Sequence, residues 1–293
     1  MQPGPQLGVS PREGQPGTRP QVETAPVTHL IPIVWLGEPL AQDPALVGQQ
    51  VAILNRLVDQ HRVPPGFCLT RRAFPIAPAQ VASVTAVVAA YQQLGERCGS
   101  TELAVTIRTC AVEEQEPGKV FLNVQGTPAV VCMVQMCWQA GLTVFIQQFI
   151  AADVTALAYS ANPSIGNRAE VVIHAAWGLG DSQEKGLVAP DIYIVSKADP
   201  GVYAVRVADK VRKLVAVPGG VELVDVPPSL QREMALSEWQ IAEITRLVQV
   251  AEAQVGQPVA IECAYLGEII YLLRCQPISL LGGQEHVKGK RTV

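Results

Sequence analysis

A chain of 293 residues, 48% apolar and 16% charged, is long enough to bury one large core or two modest ones under a lean charged surface. Its net charge of -4 argues against a nucleic-acid partner held by bulk positive charge, and no apolar run approaches the ~20 residues that span a bilayer. The opening "MQPGPQLGVSPREG" lacks the basic flank and apolar core of a signal peptide, so a cytoplasmic protein with no membrane span is expected.

Residues 1–28, rich in Pro, Gly and Gln, read as a disordered tail. Order is expected from His29, at the β-type run "HLIPIVWL". "PALVGQQVAILNRLVDQH" puts Leu46, Val47, Val51, Leu54, Leu57 and Val58 on one face and predicts a single helix. "RVPPGFCLT" is a turn into a strand, and "APAQVASVTAVVAAYQQLGERCG" is a helix closed by glycine. "ELAVTIRTCAV" and "KVFLNVQG" are strand-like, and Thr127 and Pro128 open a helix in "TPAVVCMVQMCWQAG".

Three strands follow, in "LTVFIQQFI", "VTALAYSANP" and "AEVVIHAAWG". "LSEWQIAEITRLVQVAEAQVG" is an amphipathic helix that starts at Ser237 and ends before Gly256, and "IECAYLGEIIYLLRCQPI" is a buried hairpin. Residues 282–293 form a polar, basic tail. Strands and helices mix without strict alternation, which makes the fold class α+β.

The seven cysteines form no CxxC pair and read as reduced thiols, most of them small hydrophobes in apolar runs. The four histidines have no zinc spacing, and there is no P-loop, GxGxxG, GxSxG or HExxH. Two features stand out. "WGLGDSQEKG", residues 177–186, either brings its backbone close to a ligand or is a simple turn. Arg108 sits inside an apolar strand, where a buried cation needs a phosphate or a carboxylate partner.

From about His29 to Leu281 the chain resembles the nucleotide-binding domain of phosphoenolpyruvate synthase and pyruvate phosphate dikinase, which also occurs in rifampin phosphotransferases. "LVGQQVAIL" is similar to that family's "LVGGKGANL", "VPPGFCLT" to "VPPGFVVT", and "AVTIRTCA" to "VAVRSSA". "FLNVQGTPAVVCMVQMCW", "FIQQFIAADVTALAYSANPSIGN", "VVIHAAWGLGDSQEKGLVAPDIYIV" and "AIECAYLGEIIYLLRCQPI" follow in the family's order. The resemblance implies a two-lobed ATP-grasp fold, with a first lobe over 29–126 and a second over 127–281. It also implies ATP as ligand, magnesium as the ion, and a phosphoryl transfer to a histidine on a swivelling domain. His286 in "GGQEHVKG" echoes that histidine's loop but follows the hairpin too closely for a folded domain, and reads as tail.

Phosphoryl transfer rests on positioning and on neutralising charge with cations and metal, so the substitutions decide the expected activity. The family lysine of "GGKGAN" falls on Gln50, and the family arginine of "VRSS" is kept as Arg108. The loop that closes over the phosphates is shortened to "VEEQEPGKV", with its acidic position on Lys119, and the Glu of "VIEA" is His174. The metal-binding Glu is kept as Glu262, while the second metal ligand, a Gln in the family, is Arg274 and the family Arg two positions later is Gln276. A guanidinium offers no oxygen to magnesium, which argues against the metal.

The nucleotide-binding set implied by the resemblance is therefore Gln50, Arg108, Lys119, His174 and Arg274, with Glu262 as a lone metal ligand and no catalytic residue assigned. Each lost charge-assisted contact is worth about 1.5–3 kcal/mol. The expectation is a degenerate ATP-grasp domain that binds nucleotide, or acts as an interaction module for a protein partner, without turnover. One alternative is an active phosphotransferase component whose phosphohistidine and acceptor domains lie on another chain. A ligand-free scaffold, with Arg274 and Glu262 as a plain salt bridge, is the other.

Overall fold

Two antiparallel sheets carry the architecture, and in each the strands alternate between a helix-covered face and a face turned to a shared cleft. The computed structural model describes residues 33–70, 80–110, 118–138, 143–180, 186–199 and 202–279. All of these fall in one compact unit, Ile31–Val293. The tails expected at 1–28 and 282–293, and with them His286, lie outside the described residues.

The first sheet has the order β1-β2-β5-β3-β4. Its strands are β1 (Ile33–Trp35), β2 (Gly66–Leu69), β3 (Val105–Cys110), β4 (Val120–Val124) and β5 (Thr143–Gln148). Helices α3 (Gln80–Arg97) and α4 (Thr127–Trp138) cover one face. There Phe67, Val105, Ile107, Val144 and Ile146 pack with Val87, Leu94, Val130 and Val134. The opposite residues of the same strands, Cys68, Thr106, Arg108 and Gln147, point the other way because side chains alternate along a strand. The first sheet runs on to Gln148, past the boundary expected after residue 126, because β5 pairs with both β2 and β3 and forms the sheet's centre.

The helix expected over residues 44–61 is broken. Gly48, at φ 84°, separates α1 (Pro44–Val47) from α2 (Gln49–Leu57), a backbone angle that L side chains rarely adopt. The break makes Gln49 and Gln50 the first turn of a new helix at the cleft. Helix α2 buries Val51, Ile53, Leu54 and Leu57 in the core that also takes Cys68, Phe145 and the second sheet.

The second sheet has the order β13-β12-β6-β7-β8-β9. These are β6 (Val154–Tyr159), β7 (Glu170–Trp177), β8 (Asp191–Ser196), β9 (Val202–Arg206), β12 (Val259–Leu266) and β13 (Ile269–Pro277). Helix α5 (Glu238–Val255) covers one face, packing Ile241, Ile244 and Val248 among Ile261, Cys263 and Cys275. It begins at Ser237 and ends before Gly256 as expected, with the Ser237 N–H donating to Gln240 Oε1 at 2.9 Å. β10 (Arg212–Val217) and β11 (Gly220–Asp225) form a separate two-stranded hairpin.

That hairpin ties the two sheets together. Asn123 of β4 donates through Nδ2 to Val217 O at 2.7 Å and Gly220 O at 2.6 Å. Among the described residues it is the one non-glycine with positive φ, 53°. On the other side the Leu179 N–H, just past β7, donates to Leu214 O at 2.9 Å. Leu214 and Leu223 then join Leu122, Ile150, Leu179 and Leu273 in a small core beside the cleft.

Candidate functional site

Between the two inner faces lies a cleft of about 720 Å³. The first sheet and α2 supply Gln49, Gln50, Thr106, Arg108, Gln147 and Gln148, and the second sheet supplies Thr155, Tyr159, Glu262, Arg274 and Gln276. Amide and hydroxyl side chains make up most of the polar lining. Its charged side chains among the described residues are Arg108, Glu262 and Arg274, an excess of one positive charge.

Strand register explains why a buried hairpin carries a Glu and an Arg. On β12, Ile261 and Cys263 face helix α5, so Ala260, Glu262 and Ala264 face the cleft. Glu262 stands directly opposite Arg274 on β13, immediately before a bulge at Glu262/Cys263 that resets the register. A bulge re-aims the side chains beside it. Glu262 also pairs with Leu157, Leu157 with His174, His174 with Ile192 and Ile192 with Arg206. One rung across the sheet therefore reads Arg274, Glu262, Leu157, His174, Ile192, Arg206.

This rung places the residues singled out from the sequence. Gln50, Arg108, Glu262 and Arg274 come together in the lining. His174 shares the rung but stands behind the lining, its ring edge-on to that of Tyr159 at 5.6 Å between centroids. Burial, and then the charge of Arg206, holds its imidazole below the ordinary value. Lys119 is exposed and does not line the cleft, though its neighbours Gly118 and Val120 do. Its backbone is tied to Thr109, whose Oγ1 accepts the Lys119 N–H at 2.8 Å. Alternation continued one residue back from β4 accounts for this: Val120 and Leu122 line the cleft, so Lys119 faces away from it.

Three further groups contribute. Gln276 Oε1 accepts from Arg274 Nη2 at 2.8 Å and from Gln50 Nε2 at 3.1 Å, joining β13 to α2. Gly180 lines the cleft where a Cβ would stand 2.6 Å from Thr155 Cγ2 and 2.8 Å from Glu262 Oε1, so no larger residue fits the glycine-rich stretch there. Residues 181–185 of that stretch lie outside the described residues. Tyr159 and the Gln147–Gln148 pair were not legible from single positions, because it is pairing between strands that turns them to the same space.

Arg108 and Arg274 line the same cleft from the two sheets. Burial pushes the Cys110 thiol up to about 11, and the Arg108 and Arg274 guanidiniums are both near enough to pull it back down. The Nε of Arg108 is buried and has no hydrogen-bond partner among the described residues. Two like charges converging in a half-buried cleft, one with an unsatisfied donor, make a seat for an anion.

The same residues do not fit a magnesium ion held by protein ligands. Glu262 is the one carboxylate in the described lining, and the residue opposite it in register is a cation. Among the described residues no three His, Cys, Asp or Glu side chains gather, and no helix is long and apolar enough to cross a membrane.

Known proteins are similar in sequence. A probable phosphoenolpyruvate synthase from Methanocaldococcus jannaschii is 30% identical over 70% of this chain and 20% of its own length. The phosphoenolpyruvate synthase of Pyrococcus furiosus is 28% identical over 66% of this chain and 28% of its own, and the rifampicin phosphotransferase of Streptomyces sviceus is 25% identical over 81% and 34%. The chain thus spans between a fifth and about a third of the length of these relatives. Among solved structures, D-alanine–D-alanine ligase from Bacillus anthracis is similar with a TM-score of 0.38 and 8% identity, over 83% of this chain and 59% of that one, a likeness too low to carry weight. The pyruvate phosphate dikinase AMP/ATP-binding domain matches residues 136–292, more than half of the chain. The chain belongs to that family and has its two-lobed ATP-grasp fold.

Proposed function

We propose that the cleft binds a nucleotide through protein cations in place of a protein-held magnesium ion, and that the chain acts as a nucleotide-binding module without phosphoryl transfer. The observation that carries this reading is the convergence of Arg108 and Arg274 on one space from opposite sheets. An ATP phosphate chain seated there meets two guanidiniums, whose planar donors suit phosphate oxygens. The membership of the family supports a nucleotide as the ligand.

Transfer is another matter. It needs the terminal phosphate and the leaving oxygen neutralised together in a fixed line, which metal ions bridging the phosphates ordinarily provide. Here Gln50 brings no charge and Glu262 faces a cation, so the cleft binds polyphosphate but does not organise it for displacement. A protein that reads nucleotide occupancy and passes it to a partner is the role these residues suit.

Calorimetric titration of ATP into the full chain, in magnesium and in EDTA, with wild type and Arg108→Ala, tests the reading. Equal affinity in both buffers, lost in Arg108→Ala, is the expected result. Magnesium-dependent binding lost in Arg108→Ala would overturn it in favour of an active component that phosphorylates a histidine on another chain. No binding at millimolar ATP would overturn it in favour of a scaffold.

A further inference from the structure

The floor of the cleft holds a hydrogen-bond acceptor whose orientation is fixed from behind. Gln147, on β5, lines the cleft yet is only 1% exposed. Its Nε2 donates to Pro64 O at 3.1 Å in a buried contact. A carbonyl oxygen can only accept, so the amide cannot flip: turned over, it would set two oxygens face to face. The Oε1 is therefore the end given to the cleft, and it has no hydrogen-bond partner among the described residues.

Directly opposite in register, on β3, stands Thr106, 5% exposed and also in the lining. Its hydroxyl likewise has no hydrogen-bond partner among the described residues. A hydroxyl donates or accepts as its neighbour requires, whereas the held Gln147 oxygen only accepts.

Two features say which part of a ligand meets this pair. Arg108 lies two residues from Thr106 on the same face of β3, about 7 Å along the strand, close enough for one nucleotide to touch both. Beyond Gln147 the lining turns apolar, with Phe149, Ile150, Leu122, Leu179 and Leu273. A heterocycle, with flat apolar faces and a polar edge, suits a space so lined.

We propose that Gln147 is a specificity-determining residue that selects nucleotides with an amino-bearing base, adenine or cytosine, over their keto counterparts. The amino group donates to the held Oε1, whereas a keto oxygen in that place faces another acceptor. The Thr106 hydroxyl serves the neighbouring ring nitrogen, donating to the bare nitrogen of an amino base and accepting from the N–H of a keto base. Both residues add affinity, and discrimination rests on Gln147. This deepens the nucleotide-binding reading and rests on it.

The test is titration of two matched pairs, ATP with inosine triphosphate and CTP with UTP, into the full chain in EDTA. Wild type, Gln147→Leu and Thr106→Val are compared, with thermal melting as a check that each folds. In wild type the amino member of at least one pair is expected to bind about tenfold or more tighter, the difference between a satisfied and an opposed acceptor. The pair that shows it tells a purine site from a pyrimidine site. Gln147→Leu should bring the two members within about threefold of each other. Thr106→Val should weaken both by about threefold to tenfold and keep their ratio. A purely structural role for Gln147 would move the melting temperature and leave the ratio alone. Equal binding of both members in both pairs by wild type overturns this inference and leaves the nucleotide reading standing. So does a folded Gln147→Leu that keeps the wild-type preference. The wild-type ratios decide the outcome even where a variant does not fold. If wild type binds no nucleotide, the nucleotide reading fails and takes this inference with it.

Discussion

The second sheet carries two carboxylate–cation arrangements, and they are built to opposite ends. At β8, Asp191 and Lys210 are both fully buried, with Nζ 2.6 Å from Oδ1. That carboxylate also accepts from the Ala208 N–H at 2.8 Å on Oδ1, and from the Ala235 N–H at 2.8 Å and the Tyr193 hydroxyl at 3.1 Å on Oδ2. Burial and then the Asp191 charge push the Tyr193 phenol well above its ordinary value, so it stays a donor. At β12 and β13, Glu262 and Arg274 face open space, with a second guanidinium arriving from the other sheet. The first arrangement is sealed and self-sufficient, and the second has cationic charge left over. A charge pair sealed inside the core marks structure, and one that lines a cleft beside a further cation marks a place for an anion.

The sharpest way to break that comparison is to remove one cation from each site. Lys210→Ala leaves Asp191 buried without its counter-charge and is expected to cost about 3–5 kcal/mol, read by urea unfolding. A smaller loss, under about 1 kcal/mol, would mean that the backbone donors suffice by themselves. Arg108→Ala should leave stability nearly unchanged while ATP affinity falls about tenfold to a hundredfold, because the deleted Nε has no partner to strand. Strong destabilisation by Arg108→Ala would instead place that residue in the structural class.

Asn123→Ala tests whether the hairpin β10–β11 is a strut or an ornament. Losing both contacts to Val217 O and Gly220 O, in a residue at φ 53°, is expected to lower stability by about 1–3 kcal/mol. Asn123→Gly, which tolerates the backbone angle but lacks the amide, should fall between wild type and Ala. A ranking with Gly above wild type would show that the angle outweighs the hydrogen bonds.

The smallest expected effect is a pH dependence. His174 has a folded value below its unfolded 6.5, so the native state takes up its proton less readily than the unfolded chain. The stability it contributes is present in full above about pH 6.5 and is lost as the pH falls through that value towards the lower folded one. His174→Gln should flatten the fall in melting temperature on that acid side, and an unchanged slope would remove His174 from the account.

Much of the frame was legible from residues alone, and the failures have local causes. Strands β3, β5, β6, β7 and β12 show themselves as apolar runs because most of their residues are buried. Strands β8 to β11 went unread: β10 and β11 are largely half-exposed, so the contrast between faces that marks a strand is weak there. The split of the expected helix at Gly48 came from a backbone angle rather than from hydrophobic spacing, which runs through it unbroken. In the site, Arg108 announced itself as a charge in an apolar strand, and Glu262 came from the family resemblance. Lys119 and His174 were misplaced relative to the lining, since a motif position says which residue is present but alternation and register say which way it faces. Gln276 drew notice only as a missing arginine, and its contact with Gln50 joins residues too far apart in sequence for any local pattern to reveal.

The place of β12 in the second sheet also sets a timetable. Its neighbours are β6, about a hundred residues earlier, and β13, a few residues later. A nascent chain can finish the first sheet once Gln148 has emerged. The second sheet waits with the exposed edge of β6 unpaired until Val259–Leu266 is synthesised, a delay of several seconds at ordinary translation rates. Through that interval the inner face of the first sheet, with Arg108 on it, has nothing opposite. The cleft is thus among the last features to form, and an early release of the chain would yield a folded first sheet with its binding wall bare.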